Sequence, residues 1–308
     1  MSEQLQSDFD KIVKNSKFSN KEIQLKKNFL NKFIESGFPN RKQEDWKFLD
    51  ISQIIKKNIS DLSYFIDYSQ SNKIDPSTFV DGLEHNKIIF LNGRIEKIDF
   101  NHEDKSKIEI SDETKKDISF NYENSLIDLN CAFTDKVFKI LVKKDYSLKK
   151  PLIIYHSTND SIKSTNINLR LDFELGENSC LKLIDYFANN TTKNFINIFY
   201  NFDLKKDSIL KNYKIDKFRN DNLTYSFNNI EQGNNSVSET FILSTGSDYL
   251  KNEINCNLNG EYSSAFINGI FTLKENQQHE IRTTINHLVE NTKSYQLIKS
   301  VLGKNSKS

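Results

Sequence analysis

Proline and cysteine each occur only three times in 308 residues, and tryptophan only once. Cys131, Cys180 and Cys256 are odd in number and far apart, which argues against a disulfide framework and fits a reducing cytoplasm. No C-x-x-C, H-x-x-x-H or H-E-x-x-H spacing is present, so no metal-ligand set is expected. With nine glycines the chain has neither G-x-x-x-x-G-K-[ST] nor G-x-G-x-x-G, so no phosphate-cradling loop is expected either. Charge of one sign is also missing. The 43 basic residues nearly cancel the 42 acidic ones, to a net +1. That balance offers no general attraction for nucleic acid or an anionic membrane. No run approaches the roughly 18 apolar residues of a membrane span. The amino terminus, Met1-Ser-Glu-Gln-Leu-Gln, does not read as a secretory signal.

What is present is a periodicity. Polar two-residue turns fall at Lys144-Asp145, Gly176-Glu177, Lys206-Asp207, Gly233-Asn234, Gly260-Glu261 and Glu290-Asn291, spaced by 32, 30, 27, 27 and 30 residues. A repeat of this size marks stacked coils or blades. The flanks, such as Phe138-Lys-Ile-Leu-Val142 and Leu169-Arg-Leu-Asp-Phe173, alternate apolar with polar and are rich in β-branched and aromatic residues. Helical repeats would need longer stretches at period 3.6. The expectation is a mainly β chain built on a parallel β-helix over residues 136–308. A hydrophobic content of 36% and a mean hydropathy of −0.63 suit an elongated solenoid with much surface. Plentiful Asn and Lys are read as compositional bias rather than as side-chain ladders.

Residues 1–85 form a helical region and connector. Leu5, Phe9, Ile12 and Val13 share a helical face, and Ser19-Asn-Lys-Glu22 matches a capping box. Leu25, Phe29, Leu30, Phe33 and Ile34 form the next stripe. Gly37 can supply a left-handed C-terminal residue, and Pro39 forbids continuation. A turn and a brief helix follow Trp46, and residues 60–81 read as connector. Residues 86–135 are a transition from helices to solenoid. A strand there ends in Asn92-Gly93, a strong hairpin signal. Residues 102–116 read as loop, and a short helix spans 124–133. At the far end residues 294–302 read as a strand and 303–308 as the next turn. That predicts an open last coil, hence a carboxyl-terminally truncated chain or a covering partner.

No catalytic residue stands out. Nothing ties a Ser or Cys to a His, and no G-x-S-x-G elbow occurs. Cys180 and Cys256 should lie on opposite legs of their coils as inert thiols. His279, next to Glu280, and His287 read as surface histidines. A solenoid polysaccharide lyase, or a related carbohydrate-active enzyme, is the alternative. It would need acids stacked in one coil phase. Asp172, Glu174, Asp203, Glu239 and Glu253 do not read as holding one. The aromatic run at residues 195–202 reads as core rather than as a binding platform.

Residues 36–50 carry Gly37-Phe-Pro39, then Arg41-Lys42 and Glu44-Asp-Trp46-Lys47. This resembles the opening signature of the SufD branch of the SufB/SufD family, scaffold subunits of SUF iron–sulfur cluster assembly. Gly37, Pro39, Arg41, Lys42, Glu44 or Asp45, Trp46 and Lys47 match it, with Phe38 in place of Leu and Phe48-Leu49 in place of Tyr-Thr. Leu258-Asn-Gly-Glu261, Asn268-Gly269, Arg282-Thr, His287 and Gln296-Leu-Ile-Lys299 are similar to the family's late β-helix. The resemblance implies a right-handed parallel β-helix and a non-enzymatic scaffold in the cytoplasm. It implies SufB-like and SufC-like partners, and a cluster assembled at the interface with the SufB-like subunit. The family's carboxyl-terminal helical domain and its cluster-related histidine have no counterpart here. The resemblance therefore assigns no cofactor or metal ligand to this chain.

Overall fold

A computed structural model describes residues 2–68, 79–113, 123–187, 193–217 and 220–308. Helices α1 (Ser2–Asn15) and α2 (Asn20–Ser36) open the chain, followed by a 3-10 turn at Glu44–Trp46 and α3 (Ile51–Ile54). The Ser19 capping box forms as expected. The Ser19 hydroxyl accepts the Glu22 N–H, and the Glu22 carboxylate accepts the Ser19 N–H at 2.6 Å. Gly37 ends α2 at φ 67°, ψ −169°. That is not the left-handed helical conformation but an extended positive-φ region open essentially to glycine alone.

The first strands are β1 (Asn86–Leu91), β2 (Arg94–Asp99) and β3 (Ile108–Glu113), before α4 (Ser125–Phe133). The solenoid continues with β4 (Val137–Val142), β5 (Leu152–Ser157), β6 (Asn166–Leu175), β7 (Cys180–Phe187), β8 (Phe195–Leu204) and β9 (Ile209–Asp216). Next come β10 (Asn220–Gln232), β11 (Val237–Ser244), β12 (Ser247–Leu258), β13 (Ser264–Leu273), β14 (Gln278–His287) and β15 (Lys293–Leu302). Odd and even strands separate. An 8-stranded sheet runs β15-β13-β11-β9-β7-β5-β1-β2, and a 7-stranded sheet runs β14-β12-β10-β8-β6-β4-β3. Among β4 to β15 every pairing is parallel, so each coil gives one strand to each sheet, as a parallel β-solenoid requires. The hairpin at Asn92-Gly93 forms, with φ of 51° and 84°.

Two expectations shift. Residues 102–116 are not all loop, because Ile108 and Ile110 alternate inward and β3 pairs antiparallel with β4. Residues 114–116 lie outside the described set. The sheets also begin at Asn86, so the segment read as a transition supplies the first layer of both.

The turn series is real, but its phase is corrected. The two turn residues are Lys144-Asp145, Glu177-Asn178, Lys206-Asp207, Asn234-Asn235, Glu261-Tyr262 and Glu290-Asn291. The second of each has positive φ, and it is Asp or Asn everywhere except Tyr262. Gly176, Gly233 and Gly260 stand one place earlier, at equivalent positions of their coils. Their N–H groups donate to Val142, Leu204 and Gln232 of the preceding coil, and Lys205 holds the same place between the first two. At Gly176 and Gly260 the neighbouring coil comes too close for a side chain. A Cβ on Gly260 would come within 2.0 Å of the Asn234 nitrogen, and one on Gly176 within 2.5 Å of the Lys144 nitrogen.

Inward residues make the core. Ile196, Ile198, Tyr200 and Phe202 of β8 face the coil interior, while Phe195 and Phe199 face the helices. The aromatic run is therefore core on both sides, and Phe202 stacks on Phe173 at 4.9 Å. Asn side chains do form ladders, contrary to the compositional reading. Asn229 donates to Asn201 at 3.0 Å and Asn255 to Asn229 at 3.0 Å, on the outward face of the 7-stranded sheet. In-register parallel strands place identical side chains about 4.8 Å apart, within reach of amide-to-amide hydrogen bonds.

Candidate functional site

Phe38, Pro39 and Trp46 turn inward and fix the signature segment. Phe38 meets Phe33 at 5.1 Å and Phe195 at 6.0 Å. The Pro39 carbonyl accepts the Ser52 N–H at 3.1 Å. Trp46 is 5% exposed and packs on Tyr225 at 5.5 Å, with the Lys251 ammonium 4.1 Å above its ring. Lys251 is wholly buried. It donates to the Asp45 carbonyl at 2.6 Å and to the Glu280 carboxylate at 2.7 Å. Arg282 pairs with the Asp45 carboxylate at 2.6 Å. The Glu253 carboxylate accepts from the Tyr225 hydroxyl at 3.1 Å, and burial pushes its pKa up. Three successive rungs, β10, β12 and β14, are thus clasped to the amino-terminal segment.

Of the matched signature residues, Arg41, Glu44 and Lys47 stay on the surface, and Glu44 pairs only with Lys47 at 2.5 Å. The clasping acid is Asp45, which the signature reading left as an alternative to Glu44. Lys251 and Tyr225 were missed. Their signal is the strand phase: Tyr225 shares one face of β10 with Leu223 and Phe227, and Lys251 one face of β12 with Tyr249 and Glu253.

A second polar cluster lies inside the solenoid. His156 on β5, Asp185 on β7, Lys214 on β9 and Tyr200 on β8 meet where the alternation otherwise places Leu, Ile and Phe. His156 Nε2 donates to Asp185 Oδ1 at 2.6 Å. The Tyr200 hydroxyl and the Lys214 ammonium donate to Asp185 Oδ2 at 2.6 and 2.7 Å. Burial alone would raise the Asp185 pKa, but the Lys214 charge and then His156 hold it well below the usual carboxylate range. All four are at most 3% exposed, so the cluster cross-braces three coils without opening to solvent. Its signal was legible: Leu181, Leu183, Asp185 and Phe187 share one strand phase.

A third group joins the corner between β11 and β12. The Ser247 N–H donates to Asp216 at 2.9 Å, while His279 sits between the Ser244 hydroxyl at 2.7 Å and the Ser247 carbonyl at 2.5 Å. His279 is buried in β14, not a surface histidine as expected. Burial lowers its pKa to about 4 and raises that of Asp216 to about 6. The His279 contribution is full above its unfolded value near 6.5 and fades as pH falls toward 4. The Asp216 contribution is full below 3.8 and fades as pH rises through 6. The two nearly cancel, and single variants separate them. In urea titrations from pH 7 to pH 4, Asp216→Asn will lose on the order of 3 kcal/mol more than the parent chain. His279→Gln will instead gain stability on acidification. Parallel pH profiles for both variants would contradict this assignment.

The remaining candidates are sealed or paired. Cys131 and Cys256 are buried, and burial pushes their thiols to about 11 and about 12. Cys180, expected to be inert and buried, is only half-buried, facing outward on β7. As expected it lies on the opposite leg from Cys256, which is on β12. His287 is exposed, 2.6 Å from the Thr292 hydroxyl. The acids do stack in part, contrary to expectation: Glu174, Asp203 and Glu231 are register partners on β6, β8 and β10. Lys139 pairs with Glu174 at 2.8 Å, Lys205 with Asp203 at 2.6 Å, and Asn257 donates to Glu231 at 2.7 Å. The column is an internally matched surface ladder. Among the described residues, no group of three or more His, Cys, Asp or Glu side chains is gathered as metal ligands would be. No helix among them is long and apolar enough to cross a membrane.

Residues 156–308, from the end of β5 onward, match the family model described as SUF system FeS cluster assembly, SufBD core domain. A curated relative, the iron–sulfur cluster assembly protein SufD of Escherichia coli (strain K12), is 22% identical over 283 residues. That alignment takes in 89% of this chain and 64% of the relative, so the chain spans less than two thirds of its length.

Proposed function

We propose that this chain, a SufD-like member of the SufBD family of SUF iron–sulfur cluster assembly, is a non-catalytic platform in a cytoplasmic assembly complex. In this reading it pairs with a SufB-like subunit and works beside a SufC-like ATPase. The cluster is cargo formed at the interface with the SufB-like subunit, and no residue of this chain is assigned to hold it. The observation that carries the reading is the use made of the charged residues. Asp185, Lys214 and Lys251 are spent on bracing coils and clasping the amino-terminal segment, not on lining an accessible cleft. Such a body presents rigid sheet faces and strand edges, which suit addition of a homologous sheet. The acids that a carbohydrate-active solenoid would need are matched by Lys139, Lys205 and Asn257.

Mixing the chain with the SufB-like subunit of the same source tests this. Size-exclusion chromatography with light scattering will show a complex of defined stoichiometry. Two species that elute independently at micromolar concentration would remove the proposal's main support.

A further inference from the structure

Parallel sheets normally have both faces covered. On the 7-stranded sheet the amino-terminal helices and α4 cover the part around Phe195, Phe199 and Tyr225, while the Glu174 and Asp203 column stays open to solvent. Helix α4 lies on this sheet, with the Asn130 side chain donating to the Leu169 and Asn197 carbonyls at 2.9 Å each. On the 8-stranded sheet the cover is also partial. Phe79 packs on Tyr155 at 4.8 Å, and the Val80 N–H donates to the Tyr155 hydroxyl at 3.2 Å, which shields β1 and β5. Farther along, apolar outward side chains are open among polar ones: Tyr213 is 38%, Ile270 42% and Leu297 44% exposed. The register aligns them into adjoining columns. Ile184, Tyr213, Phe241 and Leu297 form one, interrupted by Asn268 on β13, and Ile215, Leu243 and Ile270 the other, closed by Lys299 on β15.

We propose that this outward face of the 8-stranded sheet, from β7 to β15, is a docking surface for an amphipathic helix of a partner whose apolar stripe is flanked by carboxylates. The dimensions agree. Five rungs span about 19 Å, the length of roughly 13 helical residues, and two columns fit beneath one helix about 10 Å wide. The charges select the partner. Among the outward positions of these five strands, Lys182, Lys211, Lys293 and Lys299 stand against one acid, Glu239, which pairs with Lys211 at 3.1 Å. A second copy laid face to face would set lysine against lysine. A helix edged with Glu or Asp would meet them favourably. Helix α4 on the other sheet shows that this solenoid accepts a helical cover. The proposal does not depend on the assembly role above.

Fluorescence anisotropy with a labelled 14-residue Leu/Glu helical peptide tests it, with a Leu/Lys peptide of the same pattern as the control. The Leu/Glu peptide will bind saturably, and the Leu/Lys peptide will not. Tyr213→Glu and Ile270→Glu, at exposed positions that leave the core intact, will each weaken binding at least tenfold. Charge reversal at Lys182 and Lys299 will transfer preference to the Leu/Lys peptide. Equal affinity for both peptides, or variants that bind as the parent does, would overturn the proposal. So would concentration-dependent dimers abolished by Tyr213→Glu, or binding of phosphatidylserine vesicles through the same residues in place of the peptide.

Discussion

Asp185→Leu will destabilise the chain by about 3–5 kcal/mol, because it leaves the Lys214 ammonium buried with no counter-charge. The carboxylate accepts from three groups at once, and His156, Lys214 and Tyr200 come from three different strands. Removing it breaks every link of the cluster. Adding Lys214→Met should restore much of the loss, since an apolar pair of similar volume suits the surrounding Leu and Phe side chains. Urea denaturation of the parent, single and double variants measures both effects. A single-variant loss below about 1 kcal/mol would show that the cluster contributes little to joining the coils.

Trp46→Ala will cost a similar amount, about 3–5 kcal/mol, by emptying the space between Tyr225 and the Lys251 ammonium. The effect should reach beyond the cavity, because Lys251 also holds the Asp45 carbonyl and the Glu280 carboxylate. Trp46 is the one tryptophan of the chain, so its fluorescence reports this contact alone. Emission of the native chain will be blue-shifted from that of free tryptophan and will move to the aqueous value only on unfolding. A native spectrum already at the aqueous value would place the signature segment off the sheet.

Much of this architecture is written in residues whose role is local. Asn and Asp at the turns announce the positive-φ positions, and the strand alternation announces which side chains face inward. Hence the solenoid, the Asn92-Gly93 hairpin and the capping box at Ser19 are all readable without coordinates. The phase error at Gly176, Gly233 and Gly260 has a physical reason. Gly176 and Gly260 serve close approach between coils, while the residue two places after each glycine bends the chain. Long-range partners are less legible. Asp45 and Arg282 are 237 positions apart, and only the winding of five intervening coils brings them within 2.6 Å. His279 reads as a surface residue because its polar neighbours Gln278 and Glu280 hide the strand phase that buries it. The matched residues Arg41, Glu44 and Lys47 carry no buried contact, so the resemblance marked a segment more surely than it marked its anchoring side chains.

The platform reading is tested most directly by iron and sulfide analysis after anaerobic reconstitution, with the chain alone and with the SufB-like subunit in equimolar mixture. The account predicts no stoichiometric cluster on the chain alone, where Cys131 and Cys256 are sealed and Cys180 stands apart from them. It predicts a cluster on the mixture. One stable cluster per isolated chain, lost on replacing Cys180 or Cys256, would contradict it.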